Sequence, residues 1–400
     1  MWTIRSRQCT NDFCLVSALQ INLARRNLGP QEARMLTGAL KANKFLSVLK
    51  LSYNDLGDEG AKVIADALFE NGSHHPTLSV LDLGFNGIGD EGCEALAVKV
   101  VAGNFHLRTL YLSGNCIRDK GAMSIAGAIL HGTGVSVLHI SANTIGSMGL
   151  KTIAGAIAKN DARVGLTTGS DNAALVGRRV EELQLGSIGL DADGFIAIPG
   201  MLLSNTSLTH LCLSNNNIED KDLMLLSQAL SQNKQVPLRS LRLSFNYITC
   251  QGVESLMNSV WGSPTLRDIA LDNNKIQDRG AQLCAVVLTS IELETLDLAF
   301  NQVTTVGIKA LMKNLSENTS LKSLSLCGIP IDQNASKAIS YALAYNISLR
   351  CLHVDNCSTG YSSQRHIVAG IVSNRRSSLR ILTGFPIGRK CPRLVLCESF

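Results

Sequence analysis

Two hydrophobic rhythms alternate along the chain. A short stretch with leucine at every second position, such as Leu81-x-Leu83, gives way to a longer stretch whose apolar residues lie four apart. Period two predicts a short strand, with its leucines on one side and the intervening residues on the other. A spacing of four predicts one face of a helix, with polar residues such as Asp66, Lys99 and Lys159 on the other faces.

The two rhythms recur as one unit. Leu78-x-x-Leu81-x-Leu83-x-x-Asn86-x-Ile88 returns as Leu107, Leu110, Leu112, Asn115, Ile117, and again as Leu208, Leu211, Leu213, Asn216, Ile218. The reference position falls at 26, 54, 86, 115, 143, 188, 216, 246, 274, 301, 329 and 357, with 28 as the commonest step. It is filled by Asn54, Asn86, Asn115, Asn143, Asn216, Asn246, Asn274 and Asn301, and by Arg26, Ile188, Ile329 and Cys357 elsewhere. Six residues further on stands glycine in eight of the twelve units, as in Gly92 and Gly307. Ten and fourteen residues on, every unit is apolar, from Leu36 and Leu40 to Ile367 and Ile371.

One strand and one helix cannot enclose a core, so neighbouring units must stack to bury their leucines. Stacked strands make a parallel sheet at about 4.8 Å spacing, whereas packed helices need about 8–10 Å. The mismatch predicts a curved α/β solenoid with strands on the concave side, built from about twelve repeats plus terminal caps. The asparagine enters the turn after the strand. There its amide can satisfy backbone groups that would cost about 1–3 kcal/mol each if left unpaired.

This pattern resembles the leucine-rich repeats of the ribonuclease-inhibitor subtype, over roughly residues 16–382. It is also similar to the repeats of the Ran GTPase-activating family. The first resemblance implies a horseshoe-shaped solenoid serving as a non-catalytic scaffold that binds a partner protein on its concave face. The second implies an alternative, a GTPase-activating protein for a small Ran-like GTPase, although no activating residue can be matched. An inhibitor of ribonucleases proper is set aside, because those chains are acidic and far richer in cysteine.

The chain is read as a single solenoid over 1–400. An N-terminal cap spans 1–17, repeats span 18–360 with an insertion at 159–179, and a C-terminal cap with a basic tail spans 361–400. The insertion is rich in Gly, Asp, Asn and Thr. It reads as a surface loop or a partner-contacting protrusion, on the rim opposite the asparagines. A smaller insertion lies at 72–76. Residues 366–372 predict the last helix and 379–382 the last strand.

Composition narrows the class. With 45% hydrophobic and 17% charged residues, the chain is not disordered. With only 4% aromatics, its core must be aliphatic. No apolar run is long enough for a membrane-spanning helix, and the N-terminus has no secretory-signal pattern. Of the net charge of +5, the excess sits in 361–400, where seven Lys or Arg face one acid, Glu398. That tail reads as a solvated cap surface or as a patch for nuclear import or an acidic partner. Nucleic acid is disfavoured, since no aromatics interleave with the charges. Twelve cysteines without a C-x-x-C pair read as reduced thiols, placing the protein in the cytoplasm, with the nucleus as alternative. In that setting the sequons at Asn205 and Asn318 carry no sugar, and a monomer is expected.

The search for chemistry ends at a surface. There is no phosphate-binding loop, residues 57–62 being a helix start. Cys351-x-His353-x-x-x-Cys357 has a ligand-like spacing, but the strand phase turns Cys351 and His353 outward and puts Cys357 in the turn. No metal or cofactor is therefore expected. His210 and Cys212 share the concave face with His139, yet no acid is seen to orient an imidazole, so no catalytic residue is assigned. The middle position of each L-x-L changes in every unit, as Lys50, Asp82, Tyr111, His139, Gln184, Arg242, Asp297 and His353 show. This is either drift at solvent-facing positions or a partner surface. His210, Asp268 and Asp272 join that candidate surface, and Asp268, Asp272 and Asp297, with Asp355 further on, favour a basic partner segment. Tyr53, Phe85, Phe245 and Phe300, each just before the asparagine position, read as rim anchors or as packing within the turn.

Overall fold

Each L-x-L motif forms a strand of three residues with a buried centre, in a computed structural model that describes residues 15–166, 178–384 and 395–397. The chain divides into two compact units, Met1–Leu211 and Cys212–Phe400. The first contains strands β1 (Gln20–Asn22), β2 (Val48–Lys50), β3 (Val80–Asp82), β4 (Thr109–Tyr111), β5 (Val137–His139) and β6 (Glu182–Gln184). They pair in parallel and in chain order. Strand β7 (His210–Cys212) straddles the division; on the first side, the amides of Thr209 and His210 donate to Glu181 O at 2.8 and 3.0 Å.

The second unit continues with β8 (Ser240–Arg242), β9 (Asp268–Ala270), β10 (Thr295–Asp297), β11 (Ser323–Ser325), β12 (Cys351–His353), β13 (Ile381–Thr383) and β14 (Val395–Cys397). These too are parallel and sequential. Strand β13 matches the closing strand expected at 379–382, but it is not the last, because β14 pairs beyond it.

Helices return the chain from each strand to the next. The first unit has α1 (Pro30–Ala42), α2 (Gly57–Leu68), α3 (Asp90–Leu96), α4 (Asp119–His131), α5 (Ser147–Leu166), α6 (Ala192–Phe195) and α7 (Ala197–Leu202). The second has α8 (Asp220–Gln232), α9 (Cys250–Val260), α10 (Asp278–Val287), α11 (Thr305–Leu315), α12 (Gln333–Tyr345) and α13 (Tyr361–Ser373). The apolar residues ten and fourteen after the reference position are buried in every repeat, save the half-buried Leu36 of the first helix. Burying a leucine or isoleucine side chain contributes about 1.5–3 kcal/mol, so these two positions and the strand leucines carry most of the fold. No helix among the described residues is long and apolar enough to cross a membrane.

The asparagines form the expected ladder. Asn246 Oδ1 accepts the amides of Asn216 and Ile218, both at 3.0 Å, while its Nδ2 donates to Leu213 O and Leu243 O at 3.2 and 2.9 Å. Asn54, Asn115, Asn143, Asn274 and Asn301 likewise bridge their own turn to the preceding one. Cys357, standing in for asparagine, keeps the donating half of this role, its Sγ lying 3.1 Å from Leu326 O.

Two further ladders are absent from the sequence reading. One is acidic. Four residues after the asparagine, Asp58, Asp90, Asp119, Asp220 and Asp278 each accept the amide of the glycine that opens the helix of the following repeat. The other is made of asparagines after the helices. Asn43, Asn205, Asn318 and Asn346 each accept the amides two and three residues ahead. Asn205 and Asn318, the sequon residues, are thus structural, and Asn205 is fully buried.

The insertion at 159–179 is not wholly a loop. Helix α5 runs on through Leu166, and residues 167–177 lie outside the described residues. Its two ends are tied together where they meet the repeat. Asn160 Nδ2 donates to Arg178 O at 2.9 Å, and buried Asp161 faces Arg179 at 3.3 Å and accepts from Thr206 N at 2.6 Å. The smaller insertion is an antiparallel hairpin, Phe69–Glu70 against Ser73–His74, turning on Asn71 and Gly72. Both turn residues have positive φ, as a two-residue hairpin requires. In the repeat that carries Ile188, Pro199 has no N–H to donate to Phe195, and the helix is split there into α6 and α7. The N-terminal cap up to residue 14, and Arg389, Lys390 and Arg393 of the basic tail, also lie outside the described residues.

Candidate functional site

On the solvent-facing side of the strands, side-chain chemistry varies while the backbone repeats. Between the outward positions, Leu49, Leu81, Leu110 and Leu183 are fully buried in the first unit, as are Leu241 and Leu352 in the second. The outward residues stand in register. Lys50 pairs with Asp82, Asp82 with Tyr111, Tyr111 with His139 and His139 with Gln184.

In the first unit this row carries a fixed polar cluster. The Tyr111 ring meets His139 edge-on, with centroids 4.6 Å apart. Glu182 Oε1 lies 2.9 Å from His139 Nε2 and accepts from Gln184 Nε2, also at 2.9 Å. Burial, followed by the negative charges of Glu182 and Asp82, pushes the Tyr111 hydroxyl above its usual range. Asp82 is itself held by Ser52 Oγ at 2.8 Å, and His210 Nδ1 lies 2.8 Å from Thr209 Oγ1. The expectation that no acid orients an imidazole is therefore corrected. Glu182 sits at the first position of its strand, one residue before the leucine, so a reading confined to the middle of L-x-L passes over it.

The second unit presents acids. Arg242 is exposed and lies opposite Ala270, which in turn pairs with Asp297; Asp297 pairs with Ser325, and Ser325 with His353. Asp268 stands between Ser240 and Thr295. Asp272 is held by Ser244 and by Asn273 Nδ2, and Asp355 by Thr383 and Cys327. Burial, then the charge of Asp272, pushes the Asp297 carboxyl up, while the Ala299 amide and His353 oppose the rise. An acid whose ionised form is destabilised gains from a cation brought close to it.

Along the edge of each face runs a row of left-handed residues. Arg25, Tyr53, Phe85, Ala142, Ser187, Asn215, Phe245, Asn273, Phe300 and Asn356 all have φ between 52° and 58°. The turn imposes this conformation whatever side chain is present. For a residue other than glycine or asparagine it costs about 1–2 kcal/mol. Tyr53 and Phe85 stack at 4.4 Å, with the Arg25 guanidinium 4.6 Å from the Tyr53 ring. Both rings nonetheless stay close to half exposed, as do Phe245 and Phe300. They pack along the turn and face solvent at once.

Two thiols of the second unit are held in the protonated form. Burial pushes the Cys357 thiol up to about 12 and raises Cys327 as well, so neither is a thiolate near neutral pH. Cys351 and His353 are half-buried on the strand face, whereas Cys357 points into the turn. No group of three or more potential metal ligands is found among the described residues.

Comparison with known proteins agrees with this geometry. The family described as "Leucine Rich repeat" matches residues 42–65, 74–97, 103–126, 204–227, 262–283 and 290–312. "NACHT, LRR and PYD domains-containing protein 14" of Homo sapiens is 30% identical over 212 residues, which are 52% of this chain and 19% of that protein. Ribonuclease inhibitor of Mus musculus is 29% identical over 214 residues, 52% of this chain and 46% of that protein. Ribonuclease inhibitor of Sus scrofa is 26% identical over 280 residues, 67% of this chain and 60% of that protein. The chain thus spans less than two thirds of the length of each of these relatives. By its repeats and by these relatives, the chain is a leucine-rich-repeat protein of the ribonuclease-inhibitor-like type.

Proposed function

We propose that the chain is a non-catalytic scaffold that binds a partner protein on the outward face of its strands. The observation that carries this reading is the contrast within each strand. The buried position is leucine or isoleucine from repeat to repeat, while the residue beside it, in the same register, changes every time. In the first unit, His139 and Gln184 are held in place by Glu182 and Tyr111 packs against His139, which lowers the entropy lost when a partner orders them. In the second unit, Asp268, Asp272 and Asp297 suit a basic segment, and Arg242 and His353 flank them. Lys50, Asp82 and His210 complete the contact set. Five strands at about 4.8 Å spacing give a face about 20 Å wide, suited to a standard interface of about 800 Å² per partner.

Both relatives named ribonuclease inhibitor act, by that name, on another protein, which supports the reading. A monomer in the cytoplasm or nucleus is part of the same proposal. The test is capture from native lysate with the wild type and a Tyr111→Ala/Arg242→Ala/Asp297→Ala variant, both checked for folding by circular dichroism. Partners lost only by the variant support the proposal, and partners kept by both overturn it. Adding the wild type to a Ran-like GTPase tests the alternative, since acceleration of GTP hydrolysis would replace the scaffold reading.

A further inference from the structure

The helix face of the second unit changes character at α11. Up to that point, bases and acids on successive helices neutralise one another. Arg34 pairs with Glu59 and Lys62 with Glu91 in the first unit, and Glu254 of α9 with Arg279 of α10 in the second. Helices α11, α12 and α13 contain Lys309, Lys313, Lys337 and Arg365 and not one Asp or Glu. The acid beside them, Asp332, caps α12 by accepting the amide of Ala335 at 2.7 Å and lies next to Lys309. Glu317 stands just past the end of α11. Arg375 and Arg376, exposed after α13, extend the excess of positive charge.

The same three helices expose large apolar side chains. Tyr341 and Tyr345 of α12 are 59% and 62% exposed, their rings 4.9 Å apart. Lys337 precedes them by one turn, so Lys337, Tyr341 and Tyr345 form one outward stripe. On α13 the outward stripe is Tyr361, Arg365, Val368 and Val372, with Arg365 over the Tyr361 ring. The two helices approach backbone to backbone at Gly370, where a Cβ would collide with Ser340 O. That approach sets the two stripes on neighbouring helices, each with one base, Lys337 or Arg365, among exposed apolar side chains.

We propose that this face, distinct from the strand face, docks an acidic segment of a partner protein that carries bulky apolar side chains. Charge complementarity selects this occupant. Exposed tyrosine and valine offer apolar area, and the excess of Lys and Arg over acids favours carboxylates and repels basic segments. Helix α12, with 13 residues, is about 20 Å long, which matches an amphipathic helix of similar length laid along it.

The test is selection of a random peptide display library on the intact wild-type chain, followed by fluorescence anisotropy with the recovered peptides. The expected peptides are enriched in Asp and Glu alongside Leu, Phe or Trp, and they bind more weakly as salt is raised. A Lys337→Glu/Arg365→Glu variant and a Tyr341→Ser/Tyr345→Ser variant each weaken binding about tenfold or more. An Asp272→Asn/Asp297→Asn variant of the strand face leaves it within about twofold. Recovered peptides without acidic enrichment overturn the proposal, as does equal binding to the charge-reversed variant. Binding of the wild type to phosphatidylserine vesicles in place of peptides also overturns it, in favour of a membrane surface.

Discussion

Asp58 Oδ1 accepts the amide of Gly92 at 2.8 Å, so the acid of one repeat caps the helix of the next. The amide of Gly89 reaches the same oxygen at 2.7 Å. A carboxylate at a helix N-terminus satisfies free amides and meets the positive end of the helix dipole. The glycine is required for room. A Cβ at position 92 would lie 2.7 Å from Asp58 Oδ1 and 3.0 Å from Ala61 Cβ. Gly92→Ala is therefore expected to destabilise the chain by about 1–3 kcal/mol. Gly127→Ala, in α4 with nothing within 4 Å of its new Cβ, is expected to stabilise it by about 0.4–1 kcal/mol. Urea unfolding of both variants checks the pair, and shifts of the same sign would contradict the capping role.

The asparagine ladder predicts a loss of similar origin. Asn246→Ala removes the acceptor of two buried amides and a donor from Leu213 O and Leu243 O, the latter still held by Asn274 Nδ2. Water reaches some of these groups in the variant, so the expected cost is about 3 kcal/mol rather than the full sum. A denaturation midpoint unchanged from wild type would show that the ladder is incidental.

Where the ladder after the helices should carry asparagine, His75 stands buried, with the Asn43 backbone beside it but no hydrogen bond of good geometry to either ring nitrogen. Burial lowers its affinity for a proton below the ordinary value of 6.5, as it does for His74. The folded state thus holds these rings neutral while the unfolded chain takes up protons first. Stability is full above the unfolded value of about 6.5 and falls as pH drops towards the lower folded values. His75→Asn is expected to reduce that acid sensitivity and to raise stability near neutral pH. Thermal unfolding between pH 5 and pH 8 checks it, and an unchanged pH slope would count against it.

At the base of the insertion, Asp161 is nearly fully buried, and its partners are Arg179 and Thr206. Removing one charge strands the other, so Arg179→Ala is expected to cost about 3 kcal/mol or more. Replacing only residues 167–177 by a short glycine–serine linker keeps the clasp, so stability is expected to stay close to wild type. Calorimetric melting of both variants separates clasp from insertion.

The repeat itself was legible in the sequence because its signals are local and redundant. Apolar alternation and the apolar residues ten and fourteen on run through all twelve units, and the asparagine marks eight of them. The features that escaped act between units. Asp58 looks like an ordinary acid in a first helical turn, and only the structure shows that its oxygen serves Gly92 of the next repeat. Glu182 reaches His139 across the 43 positions that separate them in the chain. The tyrosines of α12 read as part of an amphipathic helix, and nothing in a single helix tells which stripe its neighbours cover.

Proton linkage gives the acidic face a signature. Asp297, pushed up by burial and by Asp272, binds a cationic partner only when ionised. Affinity for such a partner is therefore expected to fall as pH drops through the raised titration of Asp297, and Asp297→Asn is expected to flatten that dependence. For the free chain the sign is opposite. The folded state holds this proton more tightly than the unfolded one, so the group adds stability as pH falls through the same range. Affinity and, separately, thermal stability of the free chain, each measured from pH 4 to pH 8 on wild type and variant, check the two signs.

The most direct measurement is an alanine scan of affinity for a captured partner along the outward row. Lys50, Asp82, Tyr111, His139 and Gln184 would be replaced one at a time in the first unit, and Arg242, Asp268, Asp272, Asp297 and His353 in the second. Exposed helix residues Met123 and Met224 serve as controls. The expected result is a contiguous block of three or more adjacent repeats in which single replacements weaken binding about tenfold or more, with both controls within about twofold. Losses confined to helix positions, or a row in which every variant binds like wild type, would contradict the assignment of the strand face.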